Sequence, residues 1–310
     1  MRFVRSPAAG LVIRHRPELT ARQVLAAIDA HRENAGRGRE HCEHWGPASS
    51  VSRILLTSGS TAWDLAVKWN HPRGARAAFA ERWRGSRAAR AVAGARRLAS
   101  LGIAHPETWA IAERRPWGRV EESFLLTGFL PGSLPLPAAM PELLRDASRR
   151  RRVADALGRA LGRLHAADLD HGDLKHSNLL VTADDDIALL DLDSLDPPKA
   201  PTWRRRVRAL GQLEAYTRDL YPELPRSDRA RVLRAYFRED PRCAGRREAL
   251  LSDVEAWVAE RLRRWEGRDR QLHIYYPLAP RPALPPTRVD VSPGSEAAVT
   301  TEEGRRCASH

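Results

Sequence analysis

Apolar and polar positions recur along this chain in blocks whose period switches between helical and strand-like. Val24, Leu25 and Ile28 share one face of a helix over Ala21–His31, inside a first fifty residues that are otherwise polar and mixed. The Gly-, His- and Arg-rich stretch 34–50 predicts a loop. Val51–Leu56 and Trp63–Trp69 read as two strands, and the small polar connector Thr57-Ser58-Gly59-Ser60-Thr61 suits a hairpin between them. A helical period returns over Ala75–Trp83 and over Ser86–Leu101, where Val92, Ala95, Leu98 and Leu101 recur. Gly102-Ile103-Ala104-His105-Pro106 ends that second helix. The apolar run Ser123–Phe129 fits a buried strand, and Pro131-Gly132 with Pro135 and Pro137 marks a linker.

The second half begins with the most regular helix, Arg149–Ala167, striped by Val153, Leu157, Leu161 and Leu164. It leads into His171-Gly172-Asp173-Leu174-Lys175-His176-Ser177-Asn178. Two short strands follow, Asn178–Val181 and Ile187–Leu190, joined by the acidic turn Asp184-Asp185-Asp186. Beyond Pro201 the pattern is helical, with Leu250, Val254, Trp257, Val258, Leu262 and Trp265 on one face. Prolines crowd the chain after Tyr276, which predicts an extended or disordered end. The predicted organisation is an extension over 1–50, a first lobe over 51–130, a second over 131–276 and a tail over 277–310.

With 310 residues and 42% hydrophobic content the chain can bury a full core, and no apolar run reaches membrane-spanning length. The N-terminus lacks the apolar stretch of a signal peptide, which predicts a cytoplasmic protein. Three scattered cysteines, Cys42, Cys243 and Cys307, suggest neither a disulfide framework nor a zinc site. The net charge of +13 would attract nucleic acid, anionic lipid or acidic substrates. The basic residues are dispersed, however, with few aromatic residues between them, so nucleic acid is not the expected partner. Of the 52 basic residues only Lys68, Lys175 and Lys199 are lysines. Where lysine persists against such an arginine bias, a compact ammonium is favoured over a planar fork.

Two of those lysines sit beside the residues that carry chemistry. Asp173 and Asn178 lie five apart, at the two ends of one tight loop, and the strand Ile187–Leu190 leads directly into Asp191. An acid that accepts a hydroxyl proton, with an amide and a carboxylate that hold Mg²⁺ on ATP phosphates, is the set phosphoryl transfer requires. Lys175 would neutralise charge on the transferred group, and Lys68, ending the strand Leu65-Ala66-Val67, would reach the other phosphates. Ser58-Gly59-Ser60 offers backbone N–H groups that could cover phosphates. Each residue has an ordinary alternative: a turn cap for Asp173, a loop amide for Asn178, a solvated strand end for Lys68. The combination favours the phosphotransfer reading. His171 is expected to buttress the loop, and His165 and His176 to be structural or solvated. Arg204-Arg205-Arg206 and Arg208 make either a solvated basic face or a platform for an anionic acceptor.

Leu65-Ala66-Val67-Lys68, the His171–Asn178 segment and Leu189-Leu190-Asp191-Leu192-Asp193 together resemble the signature set of the protein-kinase-like superfamily. Asp-Leu-Asp in place of Asp-Phe-Gly, the helix ending at Leu101-Gly102-Ile103-Ala104-His105-Pro106 and Trp203-Arg204-Arg205-Arg206 are similar to the bacterial lipopolysaccharide kinase family. The resemblance spans roughly residues 50–265. It implies an α+β, two-lobed fold with a small β-rich N-lobe and a larger, mainly helical C-lobe. It also implies ATP and Mg²⁺ as cofactors, with Lys68 as the phosphate lysine and Asp173 as the catalytic aspartate. Asn178 and Asp191 become metal ligands, and the adenine hinge falls at Leu126-Thr127-Gly128-Phe129-Leu130.

The implied acceptor is a hydroxyl of a heptose or Kdo sugar, lipid-linked or small and anionic, met at the inner face of an anionic membrane. Two features depart from the pattern. Ala91 falls where such kinases place the glutamate that pairs with the lysine, with Glu81 as the candidate replacement, and no Ala-Pro-Glu segment is present. The rival readings are an aminoglycoside- or choline-kinase-type phosphotransferase, a protein Ser/Thr kinase, and a non-catalytic scaffold that keeps the fold.

Overall fold

The computed structural model describes residues 2–71, 74, 81, 83–195, 203–266 and 284–291. They fall into two compact units. The first takes in the described residues of 1–83, those of 109–128 and the segment from Leu284; the second takes in those of 84–108 and 129–283.

The first unit opens with a hairpin that the polar first fifty residues had concealed. β1 (Val4–Ala8) and β2 (Leu11–His15) pair around Ala9-Gly10, both with positive φ, as a two-residue turn requires. Leu11, Ile13 and His15 alternate inward, a period-2 signal too short to stand out against the surrounding arginines. Thr20 and Gln23 form a reciprocal capping box that starts α1 (Ala21–Arg37), six residues longer than the apolar stripe suggested. The predicted loop 34–50 then contains the end of α1, the short β3 (His44–Trp45) and the first residues of β4 (Ser49–Ser58). β5 (Thr61–Asn70), β6 (Thr108–Arg114) and β7 (Glu122–Gly128) complete the central strands. Their hydrogen-bonded order is β1-β2-β6-β7-β5-β4, and β3 pairs with β4.

One sheet face supplies Ile54, Leu56, Leu65, Val67, Phe124 and Leu126, which pack against Val24, Ala27 and Ile28 of α1. Burying each large side chain there contributes about 1.5–3 kcal/mol. α1 is therefore part of this unit's core rather than an appendage.

The second unit is mainly helical: α2 (Arg87–Ser100), α3 (Leu136–Arg145), α4 (Ala147–Ala166), α5 (Trp203–Leu220), α6 (Arg226–Glu239) and α7 (Arg247–Trp265). A small sheet of β8 (Leu134–Pro135), β9 (Leu179–Val181) and β10 (Ile187–Leu189) lies among them in the order β10-β9-β8. Val153, Leu157, Leu161 and Leu164 of α4 are buried, as their stripe required. Arg206 of α5 is buried too; it pairs with Asp240 and donates to the His165 carbonyl at 2.7 Å.

The tail carries a strand that its composition does not mark. β11 (Thr287–Asp290) runs parallel to β4 and adds a strand to the first unit's sheet, with Asn34 of α1 donating to Thr287 Oγ1 at 2.9 Å. Four residues of alternating character after a proline cluster give too little pattern to outweigh composition. The helix expected over Ala75–Trp83 lies almost wholly outside the described residues, as do 277–283 and 292–310.

Candidate active site

The Asp173–Asn178 loop is assembled within the second unit, between the end of α4 and β9. Gly172 has φ +75°, and a Cβ there would fall 2.7 Å from the Ser194 carbonyl oxygen, so no larger residue fits this turn. His171 is buried and its Nε2–H donates to the Leu190 carbonyl at 2.7 Å. Leu190 N–H in turn donates to the Asn178 carbonyl at 2.9 Å. Two bonds to one residue thus fix the segment ahead of Asp191 against the loop.

Within the loop, Asn178 Nδ2 donates to the Asp173 carbonyl at 2.8 Å and to Asp173 Oδ2 at 3.3 Å. Lys175 Nζ lies 2.8 Å from the same Oδ2. Asp173 and Lys175 are each about one-third exposed, while Asn178 is 7% exposed. An acid open to a substrate hydroxyl, braced by an amide and an ammonium, can orient a nucleophile and take its proton late. Asp191 stands at φ 59°, ψ 48°, a left-handed conformation that costs a non-glycine residue roughly 1–3 kcal/mol. Such strain persists only where the surroundings over-determine it, here the Leu190 bonds on one side and Leu192–Ser194 on the other.

Among the described residues no group of three or more His, Cys, Asp or Glu side chains could hold a metal by itself. One amide and one carboxylate still suit Mg²⁺, which completes its shell with water and substrate phosphates rather than with an all-protein cage. Asn178 and Asp191 fit that donor set. The buried histidines fit no acid–base role. Burial holds His176 down to about 4 and His165 down to about 3, so both are neutral near pH 7. They bond instead to Thr217 Oγ1 and Tyr236 OH.

Lys68 belongs to the first unit. It sits on β5 opposite Val51 of β4 and Leu125 of β7, on the sheet face turned away from α1. The expected phosphate cover does not share that position. Ser58-Gly59-Ser60 is the turn between β4 and β5, and Lys68 is seven residues up the strand from Thr61, about 23 Å away. That turn and Lys68 cannot hold one phosphate group. The turn at the Lys68 end is Gly46-Pro47-Ala48, which joins β3 to β4 and is closed by Gly46 N–H to Ser49 O (3.0 Å) and His71 N–H to Ala48 O (3.1 Å). Its signal in the sequence was a single Gly-Pro pair inside a stretch read as loop.

One further expectation changes. Arg206 is not part of an acceptor platform, because its guanidinium is spent on Asp240 inside the helical core. Arg204, Arg205 and Arg208 are exposed. Ala91 is buried on α2, which carries no acidic residue at all, and Glu81 is half-buried beside residues that lie outside the described set. What α2 does carry is arginine: Arg87 Nε donates to Asp193 Oδ2 at 2.5 Å, and Arg90 Nε donates to the Asp193 carbonyl at 3.1 Å.

A β-rich unit bearing the lysine strand, and a helical unit bearing the His-Gly-Asp loop followed by the Asp191 segment, define a protein-kinase-like α+β phosphotransferase. The sequence signature of the lipopolysaccharide kinase (Kdo/WaaP) family matches residues 73–236, more than half of the chain. The chain belongs to that family, and it is a kinase that uses a nucleotide and an alcohol acceptor.

Among solved structures it is similar to WaaP in complex with acyl carrier protein, at 24% identity and a TM-score of 0.50. That likeness covers 71% of this chain and 87% of the other. It is also similar to a glucosamine kinase solved with glucosamine, ADP and inorganic phosphate, at 15% identity and a TM-score of 0.46, over 90% of this chain and 93% of that one. No curated protein matches the sequence. Among the described residues no helix is long and apolar enough to cross a membrane.

Proposed function

We propose that this kinase transfers the γ-phosphoryl group of ATP, with Mg²⁺, to a hydroxyl of a lipopolysaccharide core sugar, heptose or Kdo. The observation that carries the phosphotransfer reading is the Asp173–Lys175–Asn178 loop with Leu190 bonded to it on both sides. Asp173 orients the acceptor hydroxyl and receives its proton, and Lys175 offsets charge on the group in flight. Asn178 and Asp191 would hold the magnesium, whose part is to neutralise the phosphate oxygens. Lys68 would contact the remaining phosphates, under the Gly46-Pro47-Ala48 turn rather than under Ser58-Gly59-Ser60. Family membership supports the sugar acceptor, and the net charge of +13 suits work at the inner face of an anionic membrane.

The test is the mass of the core oligosaccharide from a deletion strain complemented with wild type or Asp173→Asn. Wild type should restore one phosphate that Asp173→Asn does not. Equal phosphate content in both strains would sink the sugar-kinase assignment.

A second observation bears on the partner. Inside the helical unit a cavity of about 710 Å³ is lined by Leu136, Met140, Leu157, Leu213 and Val254, with Arg150, Arg218 and Arg229 at its wall paired to Asp228, Glu214 and Glu255. Apolar walls of this extent suit an acyl chain. The similar WaaP structure was solved with acyl carrier protein. We infer that this cavity takes an acyl chain. Native mass spectrometry of the purified chain should find an acylated species bound, and a spectrum that stays ligand-free after incubation with acyl carrier protein bearing a long chain removes the reading.

A further inference from the structure

The missing glutamate of α2 has a counterpart with the signs exchanged. Positions 87, 90, 94 and 97 recur at helical spacing and form the face of α2 that meets the segment after β10. Gly94 lets the helix approach, since a Cβ there would lie 2.6 Å from the Leu192 carbonyl oxygen. On either side of it the contacts are ionic or polar. Arg87 Nε reaches Asp193 Oδ2 at 2.5 Å, Arg90 Nη2 stands 3.8 Å from the same oxygen, and Arg97 Nη1 donates to the Leu195 carbonyl at 3.5 Å. Asp193 occupies the place where the related Asp-Phe-Gly motif has a glycine, which could offer no carboxylate.

Arg87 also faces the other acid of Asp-Leu-Asp. Its Nη2 lies 4.0 Å from Asp191 Oδ1, too far for a hydrogen bond but close enough for a strong attraction. The side chains of Arg87, Asp193 and Asp191 are 12%, 7% and 22% exposed, so solvent screens this cation little. A guanidinium that closed on Asp191 would compete with a divalent cation for the same oxygens.

We propose that Asp193 is a positioning residue that, with Arg90 beside it, holds the Arg87 guanidinium off Asp191 and so leaves that carboxylate to the metal. Asp-Leu-Asp is then one device: its first acid binds the metal, and its second occupies the arginine that would otherwise block the first. The inference rests on Asp191 being the metal ligand.

Isothermal titration with ADP, in Mg²⁺ and in EDTA, reads the gain in affinity that the metal brings. Asp193→Asn should lose about ten-fold of that gain, on the scale of a charge-assisted contact, while affinity in EDTA stays within about two-fold. Adding Arg87→Ala to Asp193→Asn should return most of the loss, which a merely structural role for Asp193 would not allow. The proposal is overturned if Asp193→Asn keeps the wild-type gain, or if the double variant is no better than the single one. Should Asp193→Asn fail to fold, Arg87→Ala alone decides: it should keep or raise the gain, and a ten-fold loss rejects the idea. Asp191→Asn separates the two layers. If it abolishes the gain while Asp193→Asn does not, only the Arg87 inference fails; if it too keeps the gain, the metal assignment fails and takes the inference with it.

Discussion

The two units place their candidate residues by opposite routes. In the helical unit Asp173, Lys175 and Asn178 come from six consecutive residues, and Asp191 arrives on the next strand but one. Their geometry is set locally, by one glycine turn and a few backbone bonds. In the β-rich unit Lys68 depends on pairings that reach across the chain. Its strand is flanked by β4 and β7, and β4 in turn by β3 and by β11, more than two hundred residues away. A compact motif can therefore specify its own chemistry, whereas a sheet position is specified only when distant strands agree on register.

The contrast can be broken most severely at Gly172. Gly172→Ala places a Cβ against the Ser194 carbonyl at a φ of +75° and must displace either the loop or the segment after Asp191. The expected cost is roughly 1–3 kcal/mol of stability, with about a hundred-fold loss of kcat, because small misplacements of reacting groups are that costly. A thermal melt and a turnover assay check both. Near wild-type turnover would show that the loop is not held as described.

A smaller effect tests the other unit. Lys68→Ala removes a charge-assisted contact of about 1.5–3 kcal/mol and should weaken ATP binding by roughly ten-fold or more. Ser58→Ala with Ser60→Ala should leave ATP affinity within about two-fold, because that turn lies at the far end of β5. A nucleotide titration on both variants decides. If the double serine variant matches the lysine variant, the placement of the phosphate turn at Gly46-Pro47-Ala48 is wrong.

These outcomes also bear on what the sequence could disclose. The central hairpin, α2, α4, the short strands and the Asp173–Asn178 loop were all readable, because each is announced by its own periodicity or by residues within ten positions. The α+β kinase-like class was implied by the resemblance that these motifs carry, and the family signature agrees with it. β1 and β2 were hidden because strands of five residues each are too short to carry a clear period. β11 was hidden because a strand whose partner lies so far back in the chain leaves no local mark. The glycine-centred turn Ser58-Gly59-Ser60 looked like a phosphate loop by composition, and only strand direction shows that it points away from Lys68. Arg206 misled for a similar reason: nothing nearby in sequence announces Asp240 as its buried partner.

A further contrast separates the units by pH. Burial holds His31 in the β-rich unit at about 4, with His71 and Arg32 nearby adding to the shift. In the helical unit His165 and His176 are held at about 3 and about 4, again mainly by burial. Each of these folded-state values lies below the unfolded value of about 6.5. As pH falls below about 6.5, the unfolded chain therefore binds protons that the folded chain refuses. Stability is lost by up to about 1.4 kcal/mol per pH unit per histidine, until the folded pKa is reached. Among the described residues one such group acts in the first unit and two in the second, so, with the units opening separately, amides of α4 should lose protection more steeply than those of β4 between about pH 6.5 and 4. Hydrogen exchange resolved by residue measures both slopes in one experiment. Equal slopes would mean that His165 or His176 is protonated in the folded unit, and would remove the buried, neutral role assigned to it beside Tyr236 or Thr217.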